Sequence, residues 1–327
     1  MIVNSVEDEN VLVTGGAGFL GSTLVRELLK KGANVIVFDN FLYGDRSNLV
    51  DIESKIQIVT GDVLSWKVYH AIKEHKVKYV FHLAAEPYIP KCYDNPERFF
   101  DVNVKGTMNV LMASKTLNVK RIVHFSSSEV YGTAQHIPMD ENHPTLPLST
   151  YAVSKLAADR LCYVFCHEHS VPVVILRPFN SYGPRETQPY VVPEIITQLS
   201  KKNIIKLGNI EAKRDFTYVE DTAKGAIMIM ESDIPNGEVI NLGSNKSYSI
   251  KELAYITGKL MGYKDIEIII DKSRLRPLDV NVLQCDYTKA KKSIGWEPEI
   301  DIEEGLERTV NWYMDNGKHW IWEKIIE

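Results

Sequence analysis

A tyrosine and a lysine in the run STYAVSK are the residues whose types and spacing most directly indicate chemistry. Tyr151 and Lys155 are four residues apart, which places both side chains on one face of a helix. A phenol with an ordinary pKa of about 10 is a poor base at neutral pH, but a neighbouring ammonium group favours the phenolate. We therefore expect Tyr151 to take a proton from an alcohol, with Lys155 lowering the pKa of its phenol.

A glycine-rich run, TGGAGFLGS, precedes this pair and predicts a dinucleotide site. Gly15, Gly18 and Gly21 follow a short apolar run and open a helical pattern, so the order is strand, turn and helix. Glycines at this spacing let the backbone approach a pyrophosphate, and the helix N-terminus offers amides to it. A second apolar run ends at Asp39, where an acid accepts hydrogen bonds from ribose hydroxyls and repels a 2′-phosphate. The sequence therefore predicts NAD rather than NADP.

A serine cluster, SSSEVYG, follows the fifth predicted strand. Ser127 and Ser128 offer hydroxyl groups that can orient the alcohol of a substrate, and Glu129 adds a carboxylate beside them. With the Tyr151 and Lys155 pair, this cluster predicts removal of an alcohol proton together with hydride transfer to NAD.

Short apolar runs alternate with amphipathic helical patterns through the first half of the chain. The predicted strands are Asn10–Val13, Asn34–Phe38, Lys55–Val59, Lys78–Leu83, Arg121–Ser126 and Val171–Leu176. This alternation predicts an α/β fold, a Rossmann-type doubly wound parallel sheet that binds its ligands at the carboxyl ends of the strands. The predicted cofactor-binding residues at these ends are Gly15, Gly18, Phe19, Leu20, Gly21, Asp39, Asn40, Asp62, Val63, Leu83, Ala84 and Ala85, and Tyr151 and Lys155 join them from their helix.

The pattern changes after Arg177, where the segments become shorter and more polar. We expect residues 1–180 to form an NAD-binding Rossmann domain, with return segments near 217–243. We expect residues 181–327 to form mainly a smaller α/β substrate-binding region.

Composition excludes several classes of partner. The 327 residues carry a net charge of −5 without a basic stripe, which argues against nucleic acid and membrane surfaces. No run approaches the roughly 20 apolar residues of a membrane span, and the N-terminus lacks a secretory pattern, so we expect a cytoplasmic protein. Four cysteines do not make a disulfide framework. Cys162, Cys166, His167 and His169 cluster on one predicted helix, where we expect packing and no metal site.

The chain resembles the extended short-chain dehydrogenase/reductases that modify nucleotide sugars. Nine motifs carry the resemblance in family order: TGGAGFLGS, HLAAE, NVKGTMN, SSSEVYG, YAVSK, RPFNSYGPR, RDFTYVEDTAKG, LRPLD and KAKKSIGWEP. The resemblance implies a nucleotide-diphosphate sugar as substrate and a 4-keto sugar as intermediate. By the same resemblance, Asn103 supports the cofactor side of the site and Ser127 holds the 4-hydroxyl oxygen. The implied substrate-binding residues are Glu86, Asn180, Arg185, Arg214 and Arg276, with Arg214 and Arg276 clamping the diphosphate.

Glu129 is the residue that best divides the possible activities. A 4-keto group makes the proton on carbon 5 acidic, and a carboxylate at this position can remove it. We therefore favour a nucleotide-sugar 4,6-dehydratase, although Ser128 stands where the dTDP-glucose dehydratases carry an aspartate. The alternatives are a nucleotide-sugar 4-epimerase and then a UDP-glucuronate decarboxylase, for which Lys91 is the candidate cation. A non-catalytic NAD-binding regulator is a further alternative of a different class.

The resemblance also implies a homodimer. Its contact would lie on the helix that carries Tyr151 and on the preceding helical segment, here residues 96–117.

Overall fold

The structure is a computed structural model that describes residues 4–316. Residues 1–3 of the predicted NAD-binding domain and residues 317–327 of the predicted substrate-binding region lie outside the described part. Within it, seven parallel strands form one sheet in the order β10-β6-β5-β4-β1-β2-β3. The predicted α/β fold with a doubly wound parallel sheet is therefore confirmed.

The elements follow one another in regular alternation. The strands are β1 (Asn10–Thr14), β2 (Asn34–Asp39), β3 (Gln57–Thr60), β4 (Tyr79–His82), β5 (Arg121–Phe125), β6 (Val173–Pro178), β7 (Asn180–Tyr182), β8 (Ile204–Leu207), β9 (Lys213–Tyr218), β10 (Val239–Leu242), β11 (Ser247–Ser249) and β12 (Glu267–Ile270). The helices are α1 (Phe19–Lys30), α2 (Lys67–Glu74), α3 (Pro96–Phe100), α4 (Thr107–Thr116), α5 (Thr150–His169), α6 (Val191–Leu199), α7 (Val219–Glu231), α8 (Ile250–Leu260), α9 (Thr288–Ile294) and α10 (Ile302–Asn316).

Both faces of the large sheet are covered by helices, which explains why its strands are apolar on both sides. Helices α1 and α7 pack against one face in a cluster that includes Leu28 and Ile227. Helices α2, α4 and α5 pack against the other face, where Cys162 of α5 lies fully buried. The cysteine pair predicted to have a packing role thus begins inside this core, with Cys166 packed at its edge.

A second region is built from the later elements. It contains the three-stranded sheet β11-β9-β7 and the parallel pair β12-β8, and helices α6, α8 and α10 share one apolar core with them. Strand β10 and helix α7 come from this half of the chain but join the large sheet, because β10 pairs in parallel with β6. The division into two domains remains a prediction.

Some predicted boundaries differ from the structure. Residue Lys55 ends a 3-10 helix, Arg46–Lys55, that Asp45 caps, so the third strand begins only at Gln57. The sixth strand begins at Val173 instead of Val171 and continues to Pro178. The helical segment predicted over 96–117 contains a π-helical turn, Asp101–Gly106, between α3 and α4. No helix within residues 4–316 is long and apolar enough to cross a membrane.

Trp296 ties α7 to the segment that follows α9. Its side chain is 3% exposed within the core of the large sheet, and its indole Nε1 donates to the Asp221 carbonyl at 3.0 Å. Gly225 makes room for the ring, because a Cβ at this position would lie 2.8 Å from Nε1. The carboxylate of Asp221 in turn accepts the backbone N–H of Ile300 at 3.0 Å. The Trp296 indole and the Asp221 carboxylate therefore hold the segment between α9 and α10 against α7.

We predict that Trp296→Ala lowers the free energy of unfolding by about 3–5 kcal/mol, because it leaves a cavity and removes a buried hydrogen bond. Urea denaturation followed by circular dichroism measures this loss. Trp66→Ala is the matched control, since Trp66 is 78% exposed and should change stability by less than about 0.5 kcal/mol. Equal losses in the two variants would contradict the role assigned to Trp296.

Candidate functional site

A cleft of about 1070 Å³ lies between the carboxyl ends of the large sheet and the second region. It brings together predicted site residues from distant parts of the chain. Those in its lining are Gly15, Gly18, Phe19, Leu20, Gly21, Asp39, Asn40, Asp62, Val63, Leu83, Ala84, Ala85, Glu86, Ser127, Ser128, Glu129, Tyr151, Lys155, Asn180, Arg214 and Arg276.

The glycine turn is held too tightly for side chains at two positions. Gly15 has a φ of +72°, and a Cβ there would lie 2.9 Å from the Ala84 nitrogen. A Cβ at Gly21 would lie 2.1 Å from the Gly15 carbonyl oxygen, inside contact distance. The first turn of α1 can therefore approach β1 only with glycine at both positions, which leaves its amides directed toward the cleft.

Asp39 ends β2 and shapes the same turn. One carboxylate oxygen accepts the Ala17 N–H at 2.9 Å and the other accepts the Phe41 N–H at 2.8 Å. Burial raises the pKa of the carboxyl, and these backbone N–H groups act against the rise. The acid at the end of the second strand therefore lines the cleft beside the glycine turn, and this arrangement fits the adenosine ribose of NAD.

Ser127, Tyr151 and Lys155 meet at the centre of the cleft. Ser149 caps α5 by accepting the Ala152 N–H at 3.1 Å, so Tyr151 and Lys155 fall in the first turns of the helix. Tyr151 hydrogen-bonds to the Ser127 side chain, while the Lys155 ammonium donates to the Phe125 carbonyl at the end of β5. The hydroxyl, the phenol and the cation predicted from separate motifs are therefore adjacent.

The electrostatics of Tyr151 differ from the prediction. Burial raises the pKa of Tyr151 to about 12, the Ser127 hydrogen bond opposes the rise, and the charge of Glu129 adds to it. Burial lowers the pKa of Lys155 to about 8. The expectation of a lowered Tyr151 pKa is wrong for this arrangement, because burial outweighs the effect of nearby charge and the ammonium is directed to the Phe125 carbonyl.

Glu129 lies in a 3-10 helix, Ser128–Tyr131, that Ser127 caps. Its side chain is almost fully buried, and one carboxylate oxygen lies 4.0 Å from Arg214 Nε. Tyr131 ties this 3-10 helix to β10, because its hydroxyl donates to Asn241 Oδ1 at 2.8 Å. The carboxylate is thus held beside Tyr151 by fixed backbone, with a cation on its other side.

Two arginines predicted for the diphosphate share one acid. Arg214 Nη2 lies 3.2 Å from an oxygen of Asp279, and Arg276 Nη1 lies 3.6 Å from the same oxygen. Arg214 also donates to the Val280 carbonyl at 2.7 Å, which fixes its guanidinium against the 271–280 segment. Two planar cations therefore face one part of the cleft, as an anionic ligand requires. Asn180, on β7 nearby, has a buried Oδ1 without a hydrogen-bond partner among the described residues.

Two predicted residues do not line the cleft. Asn103 is buried behind it, where its amide donates to Ser154 at 2.9 Å and its carbonyl accepts the Glu86 N–H at 2.8 Å. It therefore ties α5 to the chain after β4. Arg185 lies against α1, with Nη2 3.4 Å from the Thr23 hydroxyl, and has a φ of +69°.

The cleft also contains residues that the sequence did not single out. Arg98 pairs with Glu86 at 2.8 Å and approaches Asp62 at 3.6 Å, so it bridges two predicted ligand residues. Tyr190 donates to the Pro87 carbonyl at 3.1 Å and lies near Tyr151. Neither residue belongs to a recognisable motif. Only tertiary packing brings them to the site, α3 beside α5 and α6 within the core of the second region.

Comparison with known proteins agrees with this geometry. Residues 12–309 match the family described as GDP-mannose 4,6 dehydratase. A UDP-glucuronate 4-epimerase from Thermodesulfobacterium geofontis is 35% identical over 317 residues, which cover 93% of this chain and 96% of the relative. The human dTDP-D-glucose 4,6-dehydratase is 30% identical over 325 residues, covering 95% of this chain and 92% of the relative.

Among solved structures, a dTDP-glucose 4,6-dehydratase from Streptomyces venezuelae with NAD bound superposes with a TM-score of 0.88 at 28% identity, covering 95% of this chain and 98% of that one. These matches define the class as the extended short-chain dehydrogenase/reductases of nucleotide sugars, so the predicted resemblance is confirmed. Within that class, the chain belongs to the family of the GDP-mannose 4,6-dehydratase model.

The buried ammonium of Lys155 predicts a stability cost that depends on pH. We expect Lys155→Met to raise the free energy of unfolding of the NAD-free protein at pH 7 by on the order of 3 kcal/mol. The folded pKa of about 8 lies below the ordinary 10.5, so below pH 8 both states are charged and the wild type bears the full cost. Between pH 8 and 10.5 the folded wild type loses its proton first, and the advantage of the variant shrinks.

Urea titrations at several pH values measure this difference. Lys251→Met is the control, because Lys251 is exposed on α8 and should give no pH-dependent gain. A Lys155→Met variant that is less stable than the wild type at pH 7 would contradict the cost assigned to the ammonium.

Proposed function

We propose that the protein is an NAD-dependent nucleotide-sugar 4,6-dehydratase. Gly15, Gly21 and Asp39 would hold NAD in the cleft, where it would supply an acceptor for the hydride of carbon 4 and its later return. Tyr151 takes the proton of the 4-hydroxyl, Ser127 holds that oxygen, and the Lys155 charge stabilises the phenolate as it forms. These three residues support the opening step that the whole class shares.

The placement of Glu129 is the observation that carries the choice of dehydratase. A buried carboxylate beside Tyr151 raises the pKa of the phenol and so opposes the opening step. A 4-epimerase removes no carbon-bound proton and gains nothing from such a group. A dehydratase needs it, because the 4-keto sugar must lose the proton on carbon 5 before the 6-hydroxyl leaves.

Glu129 can serve both halves of the elimination. After it takes the carbon 5 proton, its neutral acid can give that proton to the hydroxyl leaving carbon 6, so that water departs. Ser128 is not acidic enough for this role. The hydride then enters carbon 6 and carbon 5 regains a proton, which balances the proton that Tyr151 took from the 4-hydroxyl. The net change is loss of one water.

The other candidates have weaker support. A UDP-glucuronate decarboxylase needs a cation for the sugar carboxylate, but Lys91 lies 4.8 Å above the Tyr43 ring and does not line the cleft. A non-catalytic regulator would not require Ser127, Tyr151 and Lys155 to meet. A 4-epimerase is the second candidate, because a relative of that name is 35% identical over nearly the whole chain.

Glu129→Gln tests the dehydratase directly. We expect water loss from a nucleotide hexose to fall roughly 10²–10⁴-fold, because the carbon 5 proton has no base. The opening step should persist, so mixing the NAD-loaded variant with substrate should produce the absorbance of reduced nicotinamide without a product of lower mass. The wild type should release a product lighter by one water.

Tyr151→Phe is the matched control and should give neither absorbance nor product. The substrates are UDP-, GDP-, CDP- and dTDP-hexoses, followed by mass spectrometry. Unchanged mass with inverted carbon 4 would establish the epimerase instead, and Glu129→Gln would then retain turnover. Loss of carbon dioxide from UDP-glucuronate would establish the decarboxylase.

We also propose a homodimer through α4 and α5. These helices carry exposed apolar side chains where a solvated surface favours polar ones, among them Met112, Val153 and Tyr163. Sedimentation velocity at micromolar concentration should give twice the chain mass. A Met112→Glu/Tyr163→Glu double variant should sediment as a monomer, and a monomeric wild type would contradict the proposal.

A further inference from the structure

A line of side chains crosses the cleft between the loop after β2 and the chain after β4. Tyr43 belongs to that loop, and its hydroxyl donates to the carboxylate of Glu86, which follows β4. The Lys91 ammonium lies 4.8 Å from the centre of the Tyr43 ring and holds it from the same side as Glu86. Because β1 lies between β2 and β4 in the sheet, this contact passes across the end of β1, where the glycine turn begins.

Arg98 extends the crossing to the end of β3. Its Nε donates to Glu86 Oε1 at 2.8 Å, and its Nη2 lies 3.6 Å from Asp62 Oδ2. Asp62 follows β3, and the side-chain amide of Asn40 donates to the same oxygen at 2.9 Å. Tyr43, Glu86, Arg98 and Asp62 thus form one continuous set of contacts over the ends of β1 and β2, which is here called the clasp.

The clasp joins two opposite walls of the cleft. The loop of Tyr43 is fixed to the start of α1, because the Asp45 N–H donates to the Ala17 carbonyl at 3.0 Å and a Cβ at Gly44 would lie 3.0 Å from the Ala17 Cβ. Arg98 comes from α3, which packs beside α5, and α5 covers the other face of the sheet. The glycine turn lies between these walls, so the clasp closes the space in front of it.

Glu86 is the fixed centre of the clasp. Its side chain is 3% exposed, whereas those of Arg98 and Asp62 are 30% and 31% exposed. A buried carboxylate is costly without donors, which keeps Tyr43 and Arg98 on Glu86. Burial and the bond to Glu86 raise the pKa of Tyr43 to about 12, so its hydroxyl remains a donor at neutral pH. The outer contacts face solvent and can open without disturbing the sheet.

We propose that the clasp is a gate for NAD, which enters and leaves the groove only when Tyr43 and Arg98 release Glu86. A dinucleotide bound at the glycine turn, with its adenosine ribose at Asp39, would cross the ends of β1 and β2, which the clasp spans. Hydride is taken up and returned by the same nicotinamide, so the reaction needs no exchange of cofactor between the two steps. A closed clasp keeps the oxidised and the reduced cofactor in place during that interval.

Stopped-flow release of NADH tests the gate. Protein loaded with NADH is mixed with excess NAD, and the loss of nicotinamide fluorescence gives the dissociation rate. Mixing free protein with NADH gives the association rate. We expect Tyr43→Phe, which removes one hydrogen bond and keeps the ring, to raise both rates by about 3- to 10-fold. Since a gate slows entry and release alike, the dissociation constant should change less than either rate.

Arg98→Met removes the contacts with both acids and should raise the two rates by roughly 10-fold or more. Arg98→Lys keeps the charge but not the planar fork that reaches Glu86 and Asp62 together, so its rates should fall between those of the wild type and Arg98→Met. Arg308→Met is the matched control. Arg308 is a 47% exposed arginine of α10 that pairs with Glu304 outside the cleft, and its removal should leave both rates unchanged.

Salt provides a readout that a purely structural role of Arg98 would not change. The contacts of Arg98 are partly exposed, so added NaCl should speed NADH release more in the wild type than in Arg98→Met. Unchanged release in both Tyr43→Phe and Arg98→Met would overturn the gate. Weaker binding that arises from slower association alone would also overturn it, because a gate that has been removed cannot slow entry.

The gate and the dehydratase are tested independently, because no sugar takes part in the release of NADH. Water loss from a hexose with unchanged release rates in the variants would support the dehydratase and remove the gate. Faster release in Tyr43→Phe and Arg98→Met, from a protein that inverts carbon 4 without loss of mass, would support the gate and remove the dehydratase.

Discussion

The parallel direction of the seven strands is the constraint on which the site depends. Because every strand of the sheet runs the same way, the turns after β1, β2, β3, β4 and β5 all open on one edge. Residues far apart in the chain, such as Gly15, Glu86 and Ser127, therefore line one cleft without any local relation to each other. The helices on both faces leave this edge as the place where polar groups can remain accessible.

Much of the fold and the centre of the site could be predicted because the signals are local. The spacing of Tyr151 and Lys155 predicts that they share a helix face. The glycine pattern predicts a tight turn, and in the structure this turn has no room for a side chain at Gly15 or Gly21. The rest depends on tertiary packing. Arg98 and Tyr190 carry no motif, and each reaches the cleft only because α3 packs beside α5 and α6 packs in the core of the second region.

The wrong direction for the Tyr151 pKa has the same origin. Sequence spacing shows that a cation is near, but it does not show how deeply the pair is buried or where the ammonium points. Burial lowers the pKa of Lys155 and raises that of Tyr151, so the charged form of each group costs more in the site than it would in water. The buried His82, whose pKa falls to about 3, stays neutral beside the same ammonium and adds no competing charge. The site therefore bears an electrostatic cost that a catalytic function would explain.

Glu129 adds to the electrostatic cost of ionising Tyr151, and Arg214 offsets part of it. A lone carboxylate beside Tyr151 would only oppose loss of the phenolic proton, but the guanidinium 4.0 Å away offsets part of its charge. Arg214 is itself held by Asp279 and the Val280 carbonyl, so it cannot follow the carboxylate if the latter moves toward a substrate. A diphosphate drawn to Arg214 would weaken its attraction for Glu129. The carboxylate would then be freer to approach the sugar when the nucleotide part of the substrate is in place, which couples recognition of the nucleotide to chemistry on the sugar.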